Sequence, residues 1–384
     1  MPLMTSVEDL RVLHQRRVPR MFYDYAEAGS WTETTLRRNR DAFKGLQLRQ
    51  RVAVDMSERS LTSSMLGAQW SLPVGLAATG LAGMQHADGE ILAAQAAEQF
   101  GVPFALSTMS ICSLEDVAAH TQKPFWFQLY IMKDRDFVAG LIERAKAARC
   151  SALVLTLDLQ ILGQRYKDLK NGMTAPPRFT LKNMLDMALR PRWCAGMLRT
   201  RRRNFANIVG HAKGVDTLDS LSQWSAQQLD PTMCWDDVAW VRDLWGGKLI
   251  LKGIMDPRDA KMAVDVGADA LIVSNHGGRQ LDGAPATIEV LPQIVEAVRS
   301  HPDGQALEIW LDGGIRSGQD VFRALALGAQ GTFIGKAFLH GLGALGAQGV
   351  TRVLEIIAQD LDLTLAFCGL TDVKDIDASV IWQK

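Results

Sequence analysis

A regular alternation of strands and helices is the feature that most limits how this chain can fold. Eight short apolar runs are rich in β-branched residues, and seven of them lead into a segment with helical periodicity or a helix-start signal. Such alternation is typical of a parallel sheet, and eight units predict a closed (β/α)8 barrel, the TIM-barrel fold of the α/β class. The predicted strands are Leu72–Ala78, Phe104–Ser107, Phe125–Leu129, Ala152–Asp158, Lys248–Lys252, Ala270–Ser274, Glu308–Asp312 and Gly331–Gly335. The clearest predicted helices are Asp88–Phe100, Asp134–Arg149, Asp256–Val266, Ile288–Arg299 and Gly318–Leu327, and the last strand leads into Ala337–Gln359.

The main alternative to a barrel is an open, doubly wound sheet. Such a sheet is expected to carry Gly-x-Gly-x-x-Gly after its first strand, and the glycines of Ala78–Gly83 have the wrong spacing. Before the barrel, Val7–Phe43 is a polar, helix-forming extension that contains Tyr23–Tyr25. We expect this extension to pack against the barrel and to close one end of the site. Because barrels with insertions reach this size, residues 1–384 are predicted to form a single domain.

Composition excludes several classes of protein. The 42 basic and 42 acidic residues cancel, which argues against a protein that mainly coats nucleic acid. The five cysteines are widely separated and form no Cys-x-x-Cys pair, so neither a disulfide framework nor a zinc site is predicted. The first twenty residues carry charges throughout, and no apolar stretch is long enough for a membrane span. A cytoplasmic protein without a metal is therefore expected.

A long insertion separates the fourth and fifth predicted strands, from about residue 159 to 247. Residues 178–213 within it hold nine basic side chains and a single acid, Asp186, interleaved with Trp193 and several methionines and leucines. The basic residues are Arg178, Lys182, Arg190, Arg192, Arg199, Arg201, Arg202, Arg203 and Lys213. In a neutral protein this asymmetry predicts a surface that docks on anionic lipid. A solvated lid and a contact between subunits are the alternatives.

Polar side chains follow the predicted strands where barrel enzymes keep their chemistry. The run Ser274–Gly283 comes directly after the sixth strand and contains His276 and Arg279. An imidazole can exchange a proton near neutral pH, and a guanidinium can hold a carboxylate with two hydrogen bonds. Asp158, at the end of the fourth strand, either orients His276 or caps a helix. The loop therefore predicts a base next to an anion clamp.

Two further strand ends indicate an anionic ligand. Lys252 ends the fifth strand and has three interpretations: a Schiff-base nucleophile, a charge partner for an anionic cofactor, or a lysine that reaches the surface. Asp312–Arg316 and Gly331–Lys336 follow the seventh and eighth strands, where barrels often bind phosphate through glycine amides and a cation. A phosphorylated cofactor or substrate is predicted, and a pair of tight turns is the alternative.

Four motifs make the chain resemble one known family. They are Pro19–Tyr25, Trp126–Tyr130, the SNHGGRQLDG run at 274–283 and DGGIRSGQDVFRALALGA at 312–329. The chain resembles the FMN-dependent enzymes that oxidise L-2-hydroxy acids, and it is most similar to the membrane-associated L-lactate and mandelate dehydrogenases. The resemblance implies that bound FMN oxidises L-lactate, or a larger acid such as L-mandelate, to the 2-keto acid.

Carried over residue by residue, the resemblance also implies roles in the site. His276 would be the catalytic base, with Asp158 as its orienting partner. Arg279 and Arg165 would clamp the substrate carboxylate, and Tyr25 and Tyr130 would hydrogen-bond the substrate. The ring and ribityl chain of the FMN would be held by Ala78, Thr79, Gly80, Ser107, Gln128, Thr156, Lys252 and Ser274. Lys252 would also stabilise the reduced ring. The tail and phosphate would be held by Asp312, Gly314, Arg316, Gly335 and Lys336.

Three residues depart from patterns within that family. Lys336 stands where many members have arginine, which replaces a two-pronged phosphate fork by a point charge. Met109 stands where glycolate-preferring members have tryptophan, which indicates room for a larger substrate side chain. Gly80 stands where oxygen-using members commonly have alanine, so it favours the dehydrogenases. With Gly80, the resemblance implies a quinone or cytochrome acceptor. The resemblance also implies peripheral attachment to the cytoplasmic face of the inner membrane and a homotetramer.

Other functions remain as alternatives at this point. A soluble FMN oxidase would use oxygen and release hydrogen peroxide. An aldolase-like barrel would use Lys252 as a Schiff-base lysine with a substrate phosphate at the Gly335 loop. The basic run Arg199–Arg203 would suit nucleic acid, but nucleic-acid binding does not explain the polar strand ends.

Overall fold

The computed structural model describes residues 3–173, 180–212, 215 and 228–382. Ten strands occur in these ranges, and eight of them form one parallel sheet. The strands are β1 (Ser63–Met65), β2 (Ala68–Trp70), β3 (Val74–Leu76), β4 (Ala105–Ser107), β5 (Trp126–Leu129), β6 (Ala152–Thr156), β7 (Lys248–Ile254), β8 (Ala270–Val273), β9 (Glu308–Asp312) and β10 (Gly331–Ile334). All eight predicted strands are present, and the predicted barrel fold is confirmed.

The eight parallel strands close into a ring. Each strand from β4 to β10 pairs with the next in the chain, and β10 pairs with β3. A parallel bridge between Leu76 and Phe104 joins the two remaining edges. Most strands are buried on both faces, as apolar runs without alternation require. Closure brings all eight carboxyl ends, with their polar residues, to one rim.

The helices of the described residues precede, connect or follow these strands. They are α1 (Val7–Arg17), α2 (Arg20–Glu27), α3 (Thr34–Lys44), α4 (Ala82–Gln85), α5 (Gly89–Phe100), α6 (Leu114–His120), α7 (Arg135–Ala147), α8 (Tyr166–Lys170), α9 (Leu181–Ala188), α10 (Pro191–Arg199), α11 (Trp235–Trp245), α12 (Pro257–Asp265), α13 (Thr287–Arg299), α14 (Gly318–Ala326), α15 (Lys336–Leu345) and α16 (Ala347–Phe367). The predicted segment Ala337–Gln359 is two helices, because Gly346 has φ +64° and reverses the chain between α15 and α16.

The opposite rim of the barrel is sealed by apolar side chains. Trp126 and Trp310 stack with ring centroids 5.4 Å apart, and Phe333 packs against both rings. The hairpin of β1 and β2, which the sequence did not predict, places the fully buried Met65 in the same cluster. The amide of Leu66 donates to Glu308 at 2.8 Å and attaches the hairpin to β9.

The N-terminal extension packs across the carboxyl-end rim. The amide of Ser30 donates to the carbonyl of Gly278 at 2.9 Å, and Asn39 and Asn275 exchange two side-chain hydrogen bonds. These contacts join α2 and α3 to the loop that carries His276. Within the insertion, α8, α9 and α10 lie among the described residues, whereas Arg178 and Lys213 of the predicted basic stretch lie outside them.

Candidate active site

A cavity of about 510 Å³ opens at the carboxyl ends of the barrel strands. Its size is in the range of pockets that bind cofactors and small molecules. Seventeen of the nineteen residues that the sequence predicts for the site line this cavity. The two others, Asp158 and Ser274, lie behind it and bind residues that do line it. The fold therefore brings every predicted site residue to one place.

His276 and Asp158 form a buried pair. The Nδ1 atom of His276 lies 2.8 Å from Oδ1 of Asp158, although the two residues follow different strands. Burial lowers the pKa of His276, while the Asp158 carboxylate acts in the opposite direction. Burial would raise the pKa of Asp158, but His276 and Lys252 outweigh it, and the pKa lies below its ordinary value. Asp158 is thus a charged partner that keeps the proton on Nδ1 and leaves Nε2 free to accept one.

Lys252 is held as a buried cation. Its Nζ atom lies 3.2 Å from Oδ2 of Asp312 and donates to Oγ of Ser274 at 2.8 Å. Burial alone would lower the pKa of Lys252, but Asp312 and Asp158 outweigh burial, and the pKa lies above its ordinary value. A Schiff-base lysine must instead lose its proton to attack a carbonyl. The geometry thus favours a charge partner for an anionic or electron-rich ligand over an aldolase lysine.

Two guanidinium groups meet in the same cavity. Arg279 donates to the carbonyls of Tyr25 and Ala28, and its guanidinium carbon lies 4.6 Å from the centre of the Tyr25 ring. Burial, followed by repulsion from Arg279, lowers the pKa of Arg165 to about 10. Burial also raises the pKa of Tyr130, so its hydroxyl stays a hydrogen-bond donor at neutral pH. Such an arrangement suits a carboxylate with an adjacent hydroxyl.

Sequence reasoning missed Asp168, which faces these arginines from α8. One of its carboxylate oxygens lies 3.7 Å from a terminal nitrogen of Arg279. Asp168 is buried, and burial raises its pKa against the opposing effect of Arg279 and Arg165. Its Oδ1 atom and one Arg279 nitrogen have no hydrogen-bond partner among the described residues. The available signal was the spacing Arg165-x-x-Asp168, which places both side chains on one face of a helical turn.

An apolar wall completes the part of the cavity near the arginines. It comes mainly from the loops after β5 and β6 and from the insertion. Its members are Met132, Leu159, Leu162, Leu169, Phe205 and Leu229. The sequence pointed to none of them, because single leucines in loops carry no periodic pattern. This wall offers a surface for an apolar substituent beside the carboxylate clamp.

The other part of the cavity carries polar atoms that lack partners. Thr79 Oγ1, Gln128 Nε2, Thr156 Oγ1 and Asp312 Oδ1 are buried, and none has a hydrogen-bond partner among the described residues. Buried polar groups in native proteins are nearly always hydrogen-bonded, so these atoms indicate a polar ligand. The positions of Gly80, Gly313, Gly314 and Gly335 keep the wall between them free of side chains. A flat ring system with several acceptors and donors fits this lining.

Arg316 and Lys336 lie at the far end of the lining. Lys336 donates to the carbonyls of Glu27 and Ala28, at 2.9 and 2.8 Å. Burial, followed by repulsion from Arg279, lowers the pKa of Lys336 well below its ordinary value. Burial also lowers the pKa of Arg316. Gly335 directly precedes α15, so cations and a helix start converge on the place where an anionic group would neutralise them.

Comparison with known proteins agrees with this chemistry. The model of the FMN-dependent dehydrogenase family matches residues 14–383. The chain belongs to this family. It is 42% identical to an L-lactate dehydrogenase of Caulobacter vibrioides over 100% of this chain and 98% of that protein. It is 40% identical to an L-lactate dehydrogenase of Acinetobacter baumannii over 99% and 98% of the two chains.

Solved structures show the same relationship. The crystal structure of a monotopic membrane protein, (S)-mandelate dehydrogenase, matches with a TM-score of 0.93 and 37% identity, covering 99% of this chain and 100% of that one. A mandelate oxidase matches with a TM-score of 0.82 and 33% identity, covering 100% and 99%. Membership makes this chain an FMN-dependent enzyme, and the unpartnered atoms and side-chain-free wall fit that cofactor. No helix in the described ranges is long and apolar enough to cross a membrane.

Proposed function

We propose that this protein oxidises an L-2-hydroxy acid to the 2-keto acid with FMN as the first electron acceptor. One observation carries the proposal: the His276–Asp158 pair shares a cavity with two buried guanidiniums and a lining that suits a flavin. When bound, FMN supplies an acceptor for two electrons. The relatives named L-lactate dehydrogenase and (S)-mandelate dehydrogenase support this reaction type.

The residues divide the reaction between them. Arg279 and Arg165 bind the substrate carboxylate, and the Tyr25 and Tyr130 hydroxyls hydrogen-bond the carboxylate and the 2-hydroxyl. Nε2 of His276 takes a substrate proton, and Asp158 stabilises the imidazolium that results. Because burial lowers the pKa of His276, the imidazole is neutral and ready to accept at neutral pH. Lys252, buried and charged, stabilises negative charge that develops on the flavin side of the cavity.

The cofactor is held along the polar wall. The ring and ribityl chain would be surrounded, directly or through Lys252, by Ala78, Thr79, Gly80, Ser107, Gln128, Thr156 and Ser274. The ribityl tail and the phosphate would be held by Asp312, Gly314, Arg316, Gly335 and Lys336. This placement would offer partners to the four polar atoms that lack them among the described residues.

The charges of the clamp select the kind of acid. Among the described residues, Asp168 is the carboxylate that pairs with Arg279 and acts on Arg165, so one further negative charge would balance the two guanidiniums. A monocarboxylate supplies that charge, and the neighbouring wall of leucines, methionine and phenylalanine suits an apolar side chain. L-Lactate and L-mandelate meet both conditions, whereas a dicarboxylic hydroxy acid would bury an unpaired charge against the wall.

Replacing the base tests this function. His276→Gln should keep bound flavin and lose a factor of roughly 10²–10⁴ in the rate of flavin bleaching by L-lactate or L-mandelate. His301→Gln is the matched control, because His301 pairs with Asp265 at the surface. Stopped-flow absorbance measures both. Full bleaching rates in His276→Gln, or a colourless wild-type protein, would refute the proposal.

We infer that the insertion docks the enzyme on an anionic membrane, on its cytoplasmic face. Helix α9 has no buried residue, and Leu181, Leu185 and Leu189 are 67–76% exposed in a stretch rich in basic residues. Two residues of the predicted docking stretch, Trp193 and Arg202, make contacts within the protein instead. Trp193 stacks on Phe22 and donates to the carbonyl of Met84, and Arg202 pairs with Asp88 and Asp116. Leucines rather than Trp193 would therefore enter the lipid.

Vesicle sedimentation tests the docking. Leu185→Ser with Leu189→Ser should release the protein from vesicles containing anionic lipid, and high salt should weaken wild-type binding, since each basic residue contributes about 1 kcal/mol. Leu363→Ser is the control, because Leu363 is an exposed leucine on α16. Undiminished pelleting of the double variant would contradict the docking.

We infer further that electrons pass to a membrane quinone or cytochrome, and that the single-domain chain assembles as a homotetramer. Docking would bring the cavity close to a lipid-soluble acceptor. An acceptor screen with a quinone analogue, cytochrome c and oxygen tests this, because rapid peroxide release would favour the oxidase. Light scattering gives the number of subunits.

A further inference from the structure

A second buried histidine site lies behind the proposed phosphate end of the cavity. His340 of α15 and His14 of α1 are fully buried, and their Nδ1 atoms are 3.2 Å apart. Nε2 of His340 lies 3.2 Å from Oε2 of Glu27, at the end of α2. Nε2 of His14 lies 2.9 Å from Oε1 of Gln85, on α4. These four residues, the His14–His340 cluster, join the N-terminal extension to the barrel.

The packing around His14 shows that the arrangement is specific. A Cβ atom added at Gly343 would lie 2.1 Å from Cδ2 of His14, so only glycine leaves room for the ring. The Tyr23 ring packs edge-on against His14 with centroids 5.0 Å apart. The imidazole positions are thus held on both sides.

The hydrogen bonds of the cluster determine where its protons lie. Nε2 of Gln85 donates to the carbonyl of Phe22 at 3.0 Å, which leaves Oε1 of Gln85 facing His14. An amide oxygen only accepts, so Nε2 of His14 must carry a proton. A neutral His14 then has an unprotonated Nδ1, and the proton between the two rings must belong to Nδ1 of His340.

The contact between His340 and Glu27 requires a second proton on His340. Nε2 of His340 and Oε2 of Glu27 are buried 3.2 Å apart, and neither has another hydrogen-bond partner among the described residues. Because a carboxylate only accepts, the two atoms satisfy each other only if Nε2 of His340 also carries a proton. His340 then carries two protons and is an imidazolium, paired with the Glu27 anion. Without that second proton, one pair of facing atoms has no hydrogen between them, which is unfavourable in a buried site. The complete network therefore holds one proton more than neutral histidines supply.

The charges around the cluster oppose that extra proton until an anion arrives. Burial lowers the pKa of His340, Glu27 raises it, and Arg316 and Lys336 lower it further. Glu8, Arg11 and Tyr23 also act on the cluster. Asp24, Arg40 and Glu33 act on its neighbours Tyr23, Arg316 and Lys336, respectively. A phosphate bound by Arg316 and Lys336 would neutralise the two cations that repel a charged His340.

We propose that Glu27, His340 and His14 form a proton site that is coupled to the FMN phosphate. This proton site takes up one proton when the cofactor binds. The proposal rests on the cofactor placement given under the proposed function. His340 and Glu27 are then positioning residues for the phosphate end, and they take no part in the oxidation itself. If FMN binding takes up a proton, thermodynamic linkage requires that FMN binds more tightly at lower pH, where protons are more available.

The pH dependence of FMN retention tests the coupling. The dissociation constant of FMN is measured by flavin fluorescence on diluted holoenzyme from about pH 7 to pH 9, where the phosphate stays doubly charged because its second pKa is about 6. Wild-type FMN binding should weaken as pH rises, by up to about tenfold per pH unit. His340→Gln and Glu27→Gln should each flatten this slope, and His301→Gln should leave it unchanged.

A second measurement needs no substitution. Nitrogen NMR of holoenzyme with labelled histidine should show one buried ring with both nitrogens protonated at neutral pH, and that signal should be absent from His340→Gln. Two buried rings with a single protonated nitrogen each, or a wild-type FMN affinity that does not change with pH, would overturn the proposal. Normal bleaching by a hydroxy acid in that case would leave the proposed function intact.

Discussion

The two rims of the barrel are built from the same eight strands and differ in almost every physical property. At the amino ends, Trp126, Trp310 and Phe333 pack against one another and against Met65, and the space between the strands is filled. At the carboxyl ends, lysine, arginine, histidine and aspartate side chains surround a cavity of about 510 Å³. Stability is concentrated at one rim and buried charge at the other. Substitutions at the two rims should therefore separate stability from activity.

The largest effect on stability is expected at the apolar rim. Trp310→Ala removes a fully buried ring from a stack and should lower the free energy of unfolding by about 3–5 kcal/mol. The flavin bleaching rate per folded molecule should change little, because Trp310 itself does not line the cavity, although its neighbour Phe333 does. Chemical denaturation and stopped-flow absorbance measure the two quantities. A large loss of rate in folded protein would show that the rims are coupled.

At the charged rim the main effect is expected on activity. Arg279→Met removes the cation that we propose binds the substrate carboxylate, and should lower kcat/KM by roughly 10²–10³, or about 2–5 kcal/mol. Its melting temperature should also fall, because the substitution leaves the Asp168 carboxylate and the carbonyls of Tyr25 and Ala28 without the cation that binds them. Arg258→Met, at an exposed position on α12, is the control. A strong loss of stability with normal kcat/KM would assign Arg279 to the fold instead.

A smaller effect is expected where the flavin wall meets the substrate clamp. A Cβ atom at Gly80 would lie 3.2 Å from Cβ of Met109 and 3.2 Å from the Tyr25 hydroxyl, closer than most real contacts. Gly80→Ala should therefore shift both neighbours and lower kcat by about tenfold, which corresponds to 1.4 kcal/mol. Met109→Ala in the same background should restore part of the rate. An unchanged rate in the single variant would contradict this prediction, because Met109 and Tyr25 would then move aside without any effect on catalysis.

The smallest effects concern pH. Because burial lowers the pKa of His276, kcat/KM should be constant above about pH 6.5 and fall as pH drops below it and the base becomes protonated. Since the pKa of Arg165 is about 10, KM for the acid should rise as pH approaches that value and the clamp loses charge. Asp158→Asn removes the carboxylate that raises the pKa of His276, so the acid limb should move to lower pH.

Sequence reasoning located most of the site because its residues follow strands. His276, Lys252 and Asp312 lie at strand ends, and parallel strands in a closed ring bring such ends together whatever the loop sequences are. Asp168 and most of the apolar wall were not predicted, because they lie in an insertion whose path depends on what it packs against. The contacts of Trp193 could not be predicted for the same reason: a basic, aromatic stretch indicates an interface, but which side chains face outward depends on contacts with α2 and α4.

Strand order, the closed barrel and the location of the chemistry at one rim were determined by the sequence itself, because the periodicity of apolar residues and the chain's fixed handedness leave few other solutions. The contact between His14 and His340, the pairing of Arg279 with Asp168 and the stacking of Trp193 on Phe22 were decided only in three dimensions. Each depends on distances between residues far apart in the chain. Electrostatic energies in a buried site change steeply over such distances, and no pattern along the sequence encodes them.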